Sequence, residues 1–121
     1  MSFHSLGLDA QLLRNIESQG YTLTTPIQKQ TIPAILNGRD VVGLAQTGTG
    51  KTAAFVLPVL HRLLSGPRRR LRALIVGPTR ELAEQTKDVL LKLGAGTGLR
   101  HVTIYGGVGM QPQINGVRQG A

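Results

Sequence analysis

The sequence predicts an α/β domain with a parallel sheet that is covered by helices on both faces. Short apolar stretches alternate along the chain with amphipathic stretches of helical period. A glycine-rich motif also stands between a predicted strand and a predicted helix. Such alternation favours parallel strands, because each crossover helix returns the chain to the same edge of the sheet. Ligands of these sheets bind at the carboxyl ends of the strands.

Composition limits the class of protein and the partners. The 121 residues suffice for one domain, and 14 Lys and Arg against 6 Asp and Glu give a net charge of +8. This excess favours polyanions, with nucleic acid first and anionic membrane second, although simple solubility is an alternative. The absence of cysteine excludes disulfides and thiolate metal sites. No stretch is apolar enough to span a membrane and nothing targets the chain for export, so we expect a cytoplasmic protein.

Residues 1–38 form a predicted helical region. Asp9 is suited to cap a first helix, and Gly20 to follow its end. A second helix is predicted to begin at Thr25-Pro26, because threonine is a good cap and proline fits the first helical position. Pro33 lies inside this second helix and is expected to kink it or divide it in two.

Residues 39–121 begin a predicted βαβ core with no internal repeat and no linker. Its predicted elements, in order, are a strand at 40–44, a helix at 51–64, a strand at 71–76, a helix from Pro78-Thr79 to 93, a strand at 101–105 and a helix at 110–118. The loops that follow the three strands should therefore gather at one edge of the sheet.

The first of these loops carries a phosphate-binding motif, with Ala45 where the pattern has its first glycine. Glycines let the backbone N–H groups curl around an anion, a lysine offers positive charge to the terminal phosphates, and a threonine hydroxyl can bind Mg²⁺. The predicted nucleotide-binding residues of the loop are Ala45, Gln46, Thr47, Gly48, Thr49, Gly50, Lys51 and Thr52, of which Lys51 and Thr52 are the catalytic candidates and Thr52 the Mg²⁺ ligand. The alternative is a turn that happens to precede a lysine.

Three further residues are candidates for a nucleobase site. The side chain of Gln28 can pair with the N6 and N7 edge of adenine, which guanine does not match. Phe3 and Tyr21 offer aromatic faces for stacking or for packing. From spacing alone, Gln28 fits a surface helix residue better and Phe3 a core residue.

A second group of candidates follows the second and third predicted strands. Thr79, Arg80 and the free N–H groups at a helix start are good partners for phosphate, and Gly106-Gly107 allows close approach of another backbone. The alternative for Arg80 is a surface ion pair with Glu84, four residues along the same helix.

Taken in order, the motifs resemble one known family. Phe3, the stretch from Gly20 to Gln28, AQTGTGKT, PTRELA and Gly106-Gly107 are similar to the first part of the leading RecA-like domain of DEAD-box ATP-dependent RNA helicases. The resemblance implies a P-loop RecA-like fold, ATP with Mg²⁺, and an adenine pocket formed by the glutamine motif with Phe3. It also implies that the RNA sugar-phosphate backbone is held, with weak sequence preference, by Pro78, Thr79, Arg80, Glu81, Gly106 and Gly107.

The resemblance has departures. Thr24 stands where the family usually has proline, and no D-E-A-D sequence or second RecA-like domain with an arginine finger follows. We therefore interpret the chain as an incomplete domain of a helicase that remodels RNA with ATP hydrolysis, and expect these 121 residues alone to be inactive and marginally stable. The alternatives are a stand-alone nucleotide- or RNA-binding module without turnover and another P-loop ATPase such as a DNA translocase. The glutamine motif and PTRELA argue against the translocase.

Overall fold

The computed structural model describes residues 2–121, and in this range it is built of helices joined by extended segments. The helices are α1 (Ala10–Ser18), α2 (Pro26–Leu36), α3 (Lys51–Leu64), α4 (Arg80–Leu93) and α5 (Met110–Arg118), preceded by a short 3-10 helix at Phe3–Leu6. The five α-helices fall where the sequence predicts them, whereas the 3-10 helix was not predicted.

Helix starts follow from local capping. The Asp9 side chain accepts a hydrogen bond from the Gln11 N–H at 2.8 Å and caps α1. The expected division of α2 at Pro33 is wrong. Proline removes only its own N–H from the helix, and the turn beyond it is kept because the Asn37 N–H donates to the Pro33 carbonyl at 3.0 Å.

The core is a helical cluster built around one face of α3. This helix packs against α2 on one side and α4 on the other, and α1 also contacts α4. The buried apolar side chains of this cluster are Phe3, Leu6, Leu8, Leu12, Ile16, Ile32, Ala53, Val56, Leu57, Leu60 and Leu93. Their burial supplies the main favourable term in folding, at roughly 1.5–3 kcal/mol for each large aliphatic side chain.

Two polar contacts fasten the N-terminal helical region to this core. Asn15 is buried, and its Nδ2 donates to the carbonyl oxygens of Leu93 at 2.8 Å and Ala95 at 2.7 Å. The carbonyl groups at the end of a helix lack partners within that helix, so Asn15 satisfies the end of α4. The Asp9 N–H donates to Nδ1 of His61 at 3.0 Å and joins the start of α1 to α3.

The three predicted strands are corrected by the structure. The segments at 40–44, 71–76 and 101–105 are extended, but between residues 2 and 121 no ladder joins them, and the only β-pairing is an isolated bridge between Ser2 and Leu23. Val42 and Leu74, in the first two of these segments, are 89% and 83% exposed.

The three segments border a common cavity. Residues of all three line this cavity of about 1160 Å³, and no strand pairing crosses it within residues 2–121. Their backbone groups therefore have no partner strand within reach.

None of the helices in the described part of the chain has the length and apolar character that a membrane span requires.

Candidate functional site

The phosphate loop has a backbone shape that depends on glycine. Gly48 and Gly50 have φ values of +83° and +84°, in the left-handed region that other residues adopt only at a cost. The Thr49 hydroxyl donates to the Gln46 carbonyl at 2.6 Å and closes the loop. Gly50 is the N-cap of α3 and offers no side chain to cap it. The first N–H groups of α3 therefore stay available to an anion at the positive end of the helix dipole.

Lys51 and Thr52 follow at the first two positions of α3. Lys51 is exposed and Thr52 is half-buried, and neither side chain hydrogen-bonds to another group in residues 2–121. An ammonium with three donors suits a phosphate, and a hydroxyl oxygen is the kind of hard ligand that Mg²⁺ accepts beside phosphate oxygens. The residues present therefore fit a nucleotide phosphate with its magnesium ion.

Gln28 joins α2 to the phosphate loop. It is buried, its Oε1 accepts from the Thr25 N–H at 3.0 Å, and its Nε2 donates to the Gly50 carbonyl at 3.2 Å. The interpretation of Gln28 as a surface residue is therefore wrong. A Cβ atom at Gly50 would collide with the Gln28 amide, which is a second reason for glycine there. One N–H and one acceptor position of the Gln28 amide remain for a ligand.

The two aromatic candidates lie together but differ in exposure. Phe3 is 3% exposed and belongs to the core, whereas Tyr21 is 42% exposed. Their rings stack with centroids 6.5 Å apart and planes 27° apart. A small cavity of about 200 Å³ borders both rings, and beside it His4 Nε2 lies 2.7 Å from Glu17 Oε1. Tyr21 therefore presents the ring face that a ligand can reach.

The start of α4 meets the glycine pair that follows the third extended segment. Thr79 caps α4, its hydroxyl accepting from the Leu82 N–H at 3.2 Å. Nη2 of Arg80 donates to the Gly106 carbonyl at 2.5 Å. A Cβ atom at Gly107 would lie 2.6 Å from the same Nη2, and the φ of +83° at Gly107 lies in the left-handed region that favours glycine. The neighbouring Pro78 and Glu81 are exposed at this surface.

Tyr105 and Glu84 complete this cluster, although neither is among the site residues predicted from the sequence. The Arg80 guanidinium carbon lies 4.9 Å from the centroid of the Tyr105 ring, within the range of a cation–π interaction. The Tyr105 hydroxyl donates to Oε1 of Glu84 at 2.7 Å. This hydrogen bond lowers the pKa of Glu84 and raises the pKa of Tyr105.

The proposed alternative for Arg80, an ion pair with Glu84, is wrong. Among residues 2–121 the carboxylate of Glu84 pairs instead with Lys87, at 3.6 Å, and accepts from Tyr105.

A signal for the cluster did exist, because an aromatic residue stands directly before the glycine pair. A signal for the burial of Gln28 also existed, since threonine followed by glutamine three residues later is the capping-box pattern, and both of its hydrogen bonds form.

Residues of two of the predicted motifs border one cavity, whereas residues 45–50 and Gly106-Gly107 do not line it. Lys51, Thr52, Pro78, Thr79 and Arg80 all line the cavity of about 1160 Å³. Gly106-Gly107 is joined to it by the Arg80 contact, and Gln28 is joined to the phosphate loop through Gly50.

Comparison with known proteins identifies the family. The model of the DEAD/DEAH box helicase family matches residues 25–121. The chain belongs to this family. It is 46% identical over 121 residues to the DEAD-box ATP-dependent RNA helicase CshA of Streptococcus pneumoniae serotype 4, covering all of this chain and 23% of that protein. It is 51% identical over 113 residues to the ATP-dependent RNA helicase dbp-10 of Neurospora crassa, covering 93% of this chain and 12% of that protein. The chain thus spans about a quarter or less of the DEAD-box relatives it matches.

Solved structures confirm the predicted fold class. A DEAD box protein from the hyperthermophile Methanococcus jannaschii matches with a TM-score of 0.90 and 35% identity, over 98% of this chain and 32% of that one. The RNA helicase Prp28 from Chaetomium thermophilum, bound to ADP, matches with a TM-score of 0.89 and 38% identity, over 98% of this chain and 30% of that one. The chain therefore has part of the RecA-like α/β fold of DEAD-box helicases, with its extended segments following the path of that fold.

Proposed function

We propose that this chain is the ATP- and RNA-binding part of an ATP-dependent DEAD-box RNA helicase, which unwinds or remodels RNA coupled to ATP hydrolysis. The observation that carries the proposal is the common cavity, because Lys51 and Thr52 at the start of α3 and Thr79 and Arg80 at the start of α4 all line it. The names of the relatives, ATP-dependent RNA helicases, support both ligands. The net charge of +8 supports a polyanionic partner.

The phosphate loop is the proposed ATP phosphate site. The N–H groups of the loop 45–50 and of the first turn of α3 would surround the phosphates, with Lys51 placed against the terminal ones. Thr52 would hold the Mg²⁺, which neutralises phosphate charge when it is bound. The structure of Prp28, which has the same fold, is bound to ADP and supports a nucleotide as the ligand.

The adenine site is proposed at Gln28. Its remaining amide donor and acceptor fit the N7 acceptor and N6 donor of adenine. Tyr21, seven residues before Gln28, supplies an accessible ring, and Phe3 supports that ring from the core. Because Gln28 also holds Gly50, a base bound at Gln28 and phosphates bound at the loop would share one rigid unit.

The RNA site is proposed where α4 begins. Thr79 and Arg80, with the neighbouring Pro78 and Glu81, would contact the sugar-phosphate backbone, and Gly106-Gly107 would allow that backbone to approach. Contacts of this kind carry no sequence information, so we propose weak sequence preference.

The absence of cysteine is compatible with a reducing compartment, and we propose that the protein works in the cytoplasm.

The salt dependence of RNA binding tests this function. Single strands give a log–log slope of about −0.7 for each phosphate contact, so Arg80→Ala should make the slope shallower by roughly one contact. The measurement is fluorescence anisotropy of a labelled single-stranded oligouridine titrated with the chain at several salt concentrations. Arg14→Ala is the matched control, since Arg14 is exposed on α1 and bonds only to Gln11. A slope that Arg80→Ala leaves unchanged would contradict the proposed role of Arg80.

A further inference from the structure

We propose that Tyr105 is a positioning residue that holds Arg80 ready for an RNA phosphate and keeps Glu84 away from it. The inference rests on the proposed RNA function of Arg80. It concerns two residues that belong to none of the motifs recognised in the sequence.

The Tyr105 ring contacts the Arg80 guanidinium. Arg80 is exposed, and a long exposed side chain samples many rotamers. Here it is held from two sides, by the Gly106 carbonyl at Nη2 and by the Tyr105 ring 4.9 Å from the guanidinium carbon. The remaining N–H donors of the guanidinium have no partner within residues 2–121. The arrangement therefore fixes the cation while leaving most of its five donors for a ligand.

Glu84 binds partners other than Arg80. This carboxylate stands four residues after Arg80 on α4, the spacing at which opposite charges pair on a helix. The Tyr105 hydroxyl binds Oε1 of Glu84, and Lys87 lies 3.6 Å from Oε2. An RNA phosphate approaching Arg80 consequently has no carboxylate to displace.

Tyr105 is itself held in place by hydrogen bonds. Its backbone N–H donates to Oε1 of Gln113 at 2.9 Å, and Nε2 of Gln113 donates to the Gly109 carbonyl at 3.0 Å. One side chain of α5 thus holds both ends of the glycine loop that carries the Gly106 carbonyl. Tyr105 is fixed at its backbone and at its hydroxyl, which is what a residue that positions another side chain requires.

A double-mutant cycle tests the ring contact. In anisotropy titrations of labelled single-stranded oligouridine, we expect Tyr105→Leu to weaken binding by about two- to fivefold, the range of an exposed cation–π contact. Arg80→Ala should weaken binding as well, and adding Tyr105→Leu to it should produce no further loss. Independent, multiplicative losses would overturn the proposal, because they would show that Tyr105 does not act through Arg80. Far-UV circular dichroism checks that each variant is folded.

The conservative variant tests the diversion of Glu84, and it also serves if Tyr105→Leu fails to fold. Tyr105→Phe keeps the ring but releases the carboxylate, which can then compete for Arg80. We expect binding to weaken by about 1.5- to twofold, the range of a helical ion pair, and to recover when Glu84→Gln is added. No recovery would overturn the role assigned to Glu84.

The outcomes separate this inference from the function on which it rests. RNA affinity that Arg80→Ala leaves unchanged would overturn the proposed RNA role of Arg80 and this inference together. A loss with Arg80→Ala that neither Tyr105 variant reproduces would overturn the inference alone.

Discussion

Replacing Gln28 with alanine is expected to remove most of the preference of this chain for ATP over GTP. A well-aligned pair of hydrogen bonds to a base edge discriminates by roughly 1–3 kcal/mol, which is about five- to 150-fold in affinity. The truncation also leaves the Gly50 carbonyl and the Thr25 N–H without their partner. Some loss of affinity for both nucleotides should accompany the loss of preference, because the phosphate loop loses its tie to α2.

Competition between ATP and GTP for a fluorescent adenine nucleotide measures this preference. Gln30→Ala is the matched control, since Gln30 lies on the same helix and is exposed. Equal affinities for the two nucleotides in the unmodified chain would refute the adenine role of Gln28.

Replacing Leu57 with alanine is expected to lower the free energy of unfolding by about 2–5 kcal/mol. Leu57 is fully buried on the face of α3 that forms the core, so the substitution removes apolar contacts and leaves a cavity. Since small domains have a total stability of roughly 5–15 kcal/mol, this loss is a large share of it. Binding of ATP at the phosphate loop should also weaken, because α3 begins directly after the loop.

Guanidinium chloride unfolding followed by circular dichroism gives the change in free energy. Leu91→Ala is the control, because Leu91 on α4 is 53% exposed and its truncation should cost little. A Leu57→Ala variant as stable as Leu91→Ala would contradict the assignment of α3 as the centre of the core.

The helices could be predicted because their signals are local. The bounds of α3 and α5 coincide with those predicted, and Asp9, Thr25 and Thr79 cap the helices that they precede. The strands could not be predicted in the same way. Val42 and Leu74 have the apolar character of buried strand residues, but burial and ladder bonds depend on a neighbouring strand, which no local pattern reports.

The candidate site shows the same difference between local signals and contacts that depend on tertiary structure. The conformation of the phosphate loop follows from its own glycines, so the sequence indicates it directly. The partner of Arg80 depends on tertiary structure: Glu84 is near in sequence, yet Tyr105 and Gly106, more than 20 residues away, make the contacts. Gln28 shows both kinds of signal. Its capping box with Thr25 is local and can be predicted from the sequence, whereas its hydrogen bond to Gly50, 22 residues away, cannot.

The equilibrium affinity of the chain for ATP with Mg²⁺, measured by titration calorimetry, tests the central claim most directly. Lys51→Ala should weaken binding by about ten- to a hundredfold, because it removes a charge-assisted hydrogen bond of roughly 1.5–3 kcal/mol from the phosphates. Lys92→Ala, which removes an exposed lysine from the last turn of α4, should leave the affinity unchanged. Equal ATP affinities for the unmodified chain and Lys51→Ala would contradict the assignment of residues 45–52 as the nucleotide site.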